Sequence, residues 1–163
     1  MYPGEEEIEQ EPSEEEQIKQ TLEFLFGENA SEFFEEIGVE KSKNTGRIRK
    51  VFVKGKFVGS IRANDGFFVP NIRGAKLLHK ATEYPSNRVV VTKDAAEFVS
   101  KGKSVFTKFV VDMDDELRPF QDVLVVDEDD KLLATGKLIL NKREVKEFKN
   151  HVVVKVRHHT QHD

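Results

Sequence analysis

From Arg88 onward the chain is a succession of short β-branched runs, each the length of one strand, separated by polar turns and brief helical patterns. Arg88 to Val91, Ser104 to Val111, Asp122 to Val126, Leu132 to Leu140 and His151 to Arg157 read as strands, and Asp127 to Asp130 as a polar hairpin connection. Thr92 is placed to cap a helix that carries Ala95, Ala96, Phe98 and Val99 and stops at Gly102. Asn141 to Lys149 supplies one more short helix. So many strand edges with so little helix to cover them call for a compact barrel with short helices at its corners.

The first half reads differently. Residues 1–15 combine Pro3, Gly4, Pro12 and a crowd of glutamates, which predicts an acidic disordered tail. Ile18, Leu22, Leu25 and Phe26 then recur at helical spacing before Gly27. A second short helix is expected from an N-cap at Ser31 through Phe33, Phe34 and Ile37, ending at Gly38. Arg47 to Val53 and Lys56 to Ile61 flank Lys54-Gly55 as a hairpin, Gly66 to Val69 forms a third strand, and Asn71 caps a helix over Ile72 to Lys80. The fold class expected is α+β: an acidic tail, a small α+β domain over 16–85 with a basic hairpin, a strand-rich domain over 86–159, and a short tail over 160–163.

Charge is distributed unevenly. Residues 1–40 carry 14 acidic side chains and one basic, residues 41–85 carry 11 basic and two acidic, and residues 86–163 carry 14 of each. A basic block within an acidic chain suits a polyanion, or neutralisation by the acidic N-terminus. With no cysteine, disulfides, thiolate metal sites and cysteine nucleophiles are excluded, and a reducing compartment such as the cytoplasm is expected. No apolar run approaches the roughly 20 residues that cross a bilayer, and the acidic start is unlike a secretory signal.

Several side chains suggest binding. In Lys101-Gly102-Lys103-Ser104-Val105-Phe106, followed by Lys108, a glycine lets backbone approach closely, exposed N–H groups are expected to donate to phosphate oxygens, and lysines supply charge. The bland reading is a helix C-cap with solvated lysines. Arg157 can pair with phosphate and His158 can stack on a base, or both can belong to a frayed end. His158, His159 and His162 also invite a metal, although only Asp163 is near in sequence. Arg47, Arg49 and Lys50, with Lys54, Lys56 and Arg62, extend a basic track or form a solvated sheet face. Phe52, Phe57, Phe67 and Phe68 are expected inside, since a chain without tryptophan needs its phenylalanines for packing. Asp112, Asp114, Asp115 and Glu116 lack the spacing of a calcium loop. No phosphate-binding glycine loop, nucleophile elbow or helical zinc motif is found, so neither catalysis nor a cofactor is expected.

The runs Arg88 to Val91, Asp94 to Val99, Gly102 to Phe106, Lys108 to Val111, Leu117-Arg118-Pro119, Asp122 to Asp127, Leu132 to Gly136 and Val154 to His158 resemble, in that order, a PUA domain. They are similar to the C-terminal part of archaeosine tRNA-guanine transglycosylases and archaeosine synthases. Ser60-Ile61-Arg62 through Gly66 to Val69 resembles the small domain that precedes PUA there, so the similarity covers residues 45–159. Two departures stand out: Pro119-Phe120-Gln121-Asp122 where the family often has Pro-Gly-Asp, and Asn150-His151 where it often has a glycine. The resemblance implies a PUA-type pseudo-barrel of mixed strands that holds RNA, commonly the acceptor stem or 3′ end of tRNA, while a separate domain does the chemistry. It places the Lys101 to Lys108 loop and Arg157-His158 on the RNA side. A tRNA-guanine transglycosylase-type catalytic protein is the partner it suggests. The rival expectation is a protein-interaction module or non-catalytic subunit, docking through Leu22, Leu25 and Phe26 with Phe33 and Phe34.

Overall fold

The computed structural model describes residues 11–161, so most of the expected acidic tail and His162 lie outside the described residues. Helix α1, Glu14–Phe26, starts after Ser13, which caps it, its Oγ accepting from the N–H of Glu16 at 3.2 Å. Three glutamates in the first turn face the positive end of the helix, and Ile18, Leu22, Leu25 and Phe26 are buried on one stripe.

The expected second helix does not form. Residues 28–34 make turns in which Ala30 donates to Gly27, Glu32 to Asn29 and Phe34 to Ser31, each bond spanning only three residues. The run is too short to sustain a helix nucleus. Glu36 adopts φ 48°, and Ile37 turns into an unexpected strand, β1, Ile37–Lys41. Phe34 instead enters the core, with its ring edge-on to Phe68 at 5.8 Å. Strands β2 (Ile48–Val53), β3 (Lys56–Ile61) and β4 (Phe68–Pro70) complete an antiparallel meander in the order β1-β2-β3-β4. Lys54 and Gly55 join β2 to β3 with φ 51° and 77°, the left-handed pair that a two-residue hairpin loop requires.

Helix α2, Ile72–Ala81, is capped by Asn71 as expected and lies directly on β3. Gly74 permits that approach, because a Cβ there would overlap the carbonyl oxygen of Val58. Of the four phenylalanines expected inside, only Phe68 is buried; Phe52 and Phe57 pair with each other at 5.7 Å nearer the surface.

The second sheet runs β6-β10-β9-β8-β5-β7, with β5 (Arg88–Val91) parallel to β8 (Asp122–Val126) and the other neighbours antiparallel. Helix α3, Lys93–Ser100, follows β5. The expected strand over 104–111 is broken into β6 (Val105–Phe106), a 3-10 turn (Thr107–Phe109) and β7 (Val110–Met113). The break is topological: β6 pairs with β10 (Val152–His159) and β7 pairs with β5, so the chain must cross from one edge of the sheet to the other and nearly closes it. Strand β9 spans Leu132–Leu138, and helix α4, Lys142–Glu147, carries a capping box from Asn141 and Glu144. Beyond β10, Thr160 and Gln161 donate to the carbonyls of Leu133 and Ser100.

The two sheets share a seam. Leu124 and Leu132 of the barrel pack into the apolar cluster of the first domain. Arg88, 1% exposed, gives Nε to Asp130 at 2.7 Å, Nη1 to Thr82 Oγ1 and Ser86 O, and Nη2 to the carbonyls of His79 and Thr82. The end of α1 is met in the same way: Phe24, Leu25 and Phe26 carbonyls accept from Arg118, Gln121 and Asn87 at 3.1, 3.4 and 2.7 Å. Those carbonyls have no partner within the helix, and the barrel supplies the donors.

Arg88→Ala therefore removes one buried charge and strands Asp130 and several carbonyls; we expect a loss of roughly 3–5 kcal/mol in urea unfolding. Arg88→Lys will not restore it, since an ammonium has three donors and no fork. Near wild-type stability for either variant would show that the seam rests on its apolar contacts alone.

Candidate nucleic-acid interface

The end of β10 lies against the Gly102 loop and lines a groove with the start of α2. Gly102 has φ 103°, and a Cβ on it would lie 2.9 Å from the ring of His159, so the loop is glycine because β10 ends against it. Val156 N–H donates to Ser104 Oγ at 3.4 Å, and Gln161 N–H to Ser100 O at 2.9 Å, fastening loop to strand. Next to this junction lies a groove of about 460 Å³ between Asn71, Ile72, Arg73 and Lys76 of the α2 start and Arg157, His158 and His159 of β10. Arg73 and Lys76 project one helical turn apart from the end of α2 whose partial charge is positive.

Three of the loop N–H groups expected to donate to phosphate are already engaged. The N–H groups of Lys101, Gly102 and Lys103 all turn back onto α3, donating to Phe98 or Val99 carbonyls. A helix C-terminus presents acceptors, and the loop's donors satisfy them. What the loop offers is side chains: Lys103, Phe106 and Lys108 are exposed, and Lys101 is exposed in a surface pair with Glu97 at 3.2 Å. Val105 is fully buried and supports the loop from beneath.

Arg47 and Arg49 line a different groove, of about 590 Å³, with Lys41, Arg62 and the side of α1. Lys50, the neighbour of Arg49 on β2, does not line it. Glu14 pairs with Lys41 at 3.0 Å and Asp65 with Arg62 at 2.7 Å, so part of this basic track is neutralised by the first domain's own acids. The acidic cluster is structural: Asp114 accepts from the N–H groups of Asn87 and Glu116, and Asp112 from that of Met113. Among the described residues no group of His, Asp or Glu is arranged to hold a metal ion, and no helix is long and apolar enough to cross a membrane. Sequence reasoning missed Arg73 and Lys76, whose spacing behind a helix-capping asparagine was the available signal.

Two family models tile this architecture. The patch-forming domain C2 of tRNA-guanine transglycosylase matches residues 16–85, and the PUA domain matches residues 87–160. The chain is a C2–PUA pair. The tRNA-guanine(15) transglycosylase of Pyrococcus abyssi is 50% identical over 135 residues, which cover 83% of this chain and 23% of the relative. That of Thermococcus onnurineus is 46% identical over 140 residues, 86% of this chain and 24% of the relative. The chain thus spans about a quarter of the length of the curated relatives it matches. A hypothetical protein of Pyrococcus horikoshii shares the fold with a TM-score of 0.70 at 24% identity, covering 91% of this chain and 90% of that one.

In the PUA barrel, Asp122 sits behind Arg157 with no side-chain exposure. Arg157 Nε lies 3.2 Å from Oδ2, off the axis of a hydrogen bond, and neither carboxylate oxygen accepts one from any described residue. Burial pushes the Asp122 carboxyl up to about 6, against the opposing pull of Arg157, Arg62 and Lys137. Burial also lowers the His158 imidazole, with Arg157 and His159 adding to it, so at neutral pH His158 stacks or accepts and adds no charge.

Between about pH 4 and 6 the native state keeps a proton on Asp122 that the unfolded chain has released, so stability falls as pH rises through that window. Above it the charged form costs on the order of 2–3 kcal/mol. Asp122→Asn should raise the melting temperature by roughly 5 °C at pH 7.5, with the gain shrinking toward pH 4. A gain that is constant across pH would exclude titration of Asp122 as its cause.

Proposed function

We propose that this C2–PUA pair is an RNA-binding module of the tRNA-modification machinery that holds tRNA by its acceptor stem or 3′ end and has no catalytic activity of its own. The observation that carries this reading is the groove where the first domain contributes Arg73 and Lys76 and the PUA domain contributes Arg157 and His158, with Gly102 of the lysine loop against His159 at its edge. On this reading each cation meets a phosphate and the imidazole a splayed base, as recognition of RNA ends requires. The names of the relatives support the link to tRNA and to a tRNA-guanine transglycosylase-type catalytic protein as the partner. On this reading residues 16–85 orient the stem through Arg47, Arg49 and Lys50, and residues 86–159 grip its end.

The rival docking face is no longer available. Leu22, Leu25, Phe26 and Phe34 are consumed by the core of the first domain, and Phe33 lies under the Lys80 ammonium at 4.3 Å.

Titration of labelled tRNA against salt tests the proposal. Replacing Lys101, Lys103 and Arg157 together by alanine should weaken binding and flatten the salt dependence by roughly 0.7–0.9 in slope for each phosphate left without its cation; Arg73→Ala with Lys76→Ala should do the same. Equal affinity for duplex DNA, or no binding at low salt, would sink it.

A further inference from the structure

We infer that the seam beside α1 carries a stacking platform for unpaired RNA bases, built from Phe24 and Phe120; this rests on the RNA-binding reading above and adds a second contact to it. Both rings are unusual places to spend a phenylalanine. Phe24 is 61% exposed although its helix buries its apolar stripe elsewhere, and Phe120 is 53% exposed in the turn before β8. Phe120 also holds φ 65°, a left-handed backbone that disfavours a bulky side chain. The core gains little from a ring so exposed, so packing does not account for it at that position.

The two residues are tied to one stretch of the seam. Arg118 donates to the carbonyl of Phe24, and Gln121 to that of Leu25, which fixes the turn containing Phe120 against the end of α1. Each ring has a cation beside it: the Arg118 guanidinium stands 4.0 Å from the Phe24 centroid and the Lys137 ammonium 5.0 Å from that of Phe120. A third such pair, Arg62 on Phe67 at 5.2 Å, closes the far end of a shallow groove that runs along Gln17, Gln20 and Thr21. A cation on one face leaves a ring able to receive a base on the other, and puts a positive charge where the next phosphate falls.

An apolar protein segment would bury the Lys137 ammonium, which pairs with no acid among the described residues. A single-stranded nucleic acid provides both partners, whereas a duplex keeps its bases stacked on one another and cannot use the rings. One buried carboxylate links the platform to the groove at the end of β10. Lys137 stands opposite Asp122 in the β8–β9 register, and Arg157 pairs with that same Asp122 from β10. An RNA stem lying in the groove would thus have its unpaired end led across Lys137 to the rings.

Phe120→Gly combined with Phe24→Ala provides the test, because glycine accepts the left-handed backbone and both sites are on the surface. Binding is measured for labelled seven-nucleotide oligo-U and oligo-A, for a blunt RNA duplex and for tRNA, each against salt. The expected result is a wild type that binds the oligonucleotides and a variant that folds normally, loses about tenfold or more on them, keeps the wild-type salt slope because its cations remain, and binds the duplex unchanged. Equal oligonucleotide affinity in variant and wild type overturns the inference. A wild type that binds tRNA and ignores the oligonucleotides overturns it too, while the RNA-binding reading stands; a wild type that binds neither RNA strikes down both.

Discussion

A guanidinium with no access to water organises this molecule. All five N–H groups of Arg88 are used, and the groups that accept them come from the end of α2, the segment that leaves it, and the β8–β9 turn. Isolated, such a charge would be expelled from a protein interior; here the acceptors are a carboxylate, a threonine hydroxyl and carbonyls at and beyond the negative end of a helix dipole. The end of α1 faces the barrel as well, and Arg118, Gln121 and Asn87 cap it. Both helices of the C2 domain therefore finish on the PUA domain, and each domain holds polar groups that only the other satisfies. Separating them would expose Leu124 and Leu132 and leave these donors and acceptors without partners.

That seam also sets where the charge goes. With its C-terminus fixed at Arg88 and its body across β9, α2 brings its opposite end to the last residues of β10. Arg73 and Lys76 thus face Arg157 although they lie far apart in the chain. Asp122 belongs to the same arrangement: a carboxylate behind Arg157 holds the guanidinium at the groove's edge, at the cost of a buried charge that accepts no hydrogen bond from a described residue. A site that keeps such a group gives up stability for the placement of its cation.

Much of this is legible in the sequence because it depends on local chemistry. The alternating runs on either side of Lys54-Gly55, the caps at Asn71 and Thr92 and the succession of short strands after Arg88 all take their shape from residues within one turn or one strand. Where structure and sequence part, distant partners decide. Ser31 to Ile37 has helical spacing, yet β2 offers an edge for β1 and Phe68 a neighbour for Phe34. Ser104 to Val111 has the composition of one strand, but its halves pair with β10 and β5 at opposite edges. The site divides along the same line: Arg157, Lys103 and Lys108 are visible in their own segments, while Arg73 and Lys76 acquire meaning only from the packing of α2 on the barrel. Gly102 does mark a close approach, but what approaches is His159, and the glycine N–H serves α3.

Two turns take a backbone that favours glycine without having one. Asn150 and Phe120 adopt φ 58° and 65°, so both turns keep the left-handed conformation that glycine supplies without strain. Asparagine is the ordinary substitute there, since its short side chain tolerates that region. Phenylalanine has no such excuse, and its ring recovers little of the strain by burial. The strain has to be held by the surroundings, and the bonds on either side of the turn are placed to hold it: Arg118 N–H to Gln121 Oε1 at 2.7 Å, and Gln121 onward to the end of α1. The same contacts that join the two domains therefore keep one aromatic ring turned outward, which ties the shape of this surface to the integrity of the seam.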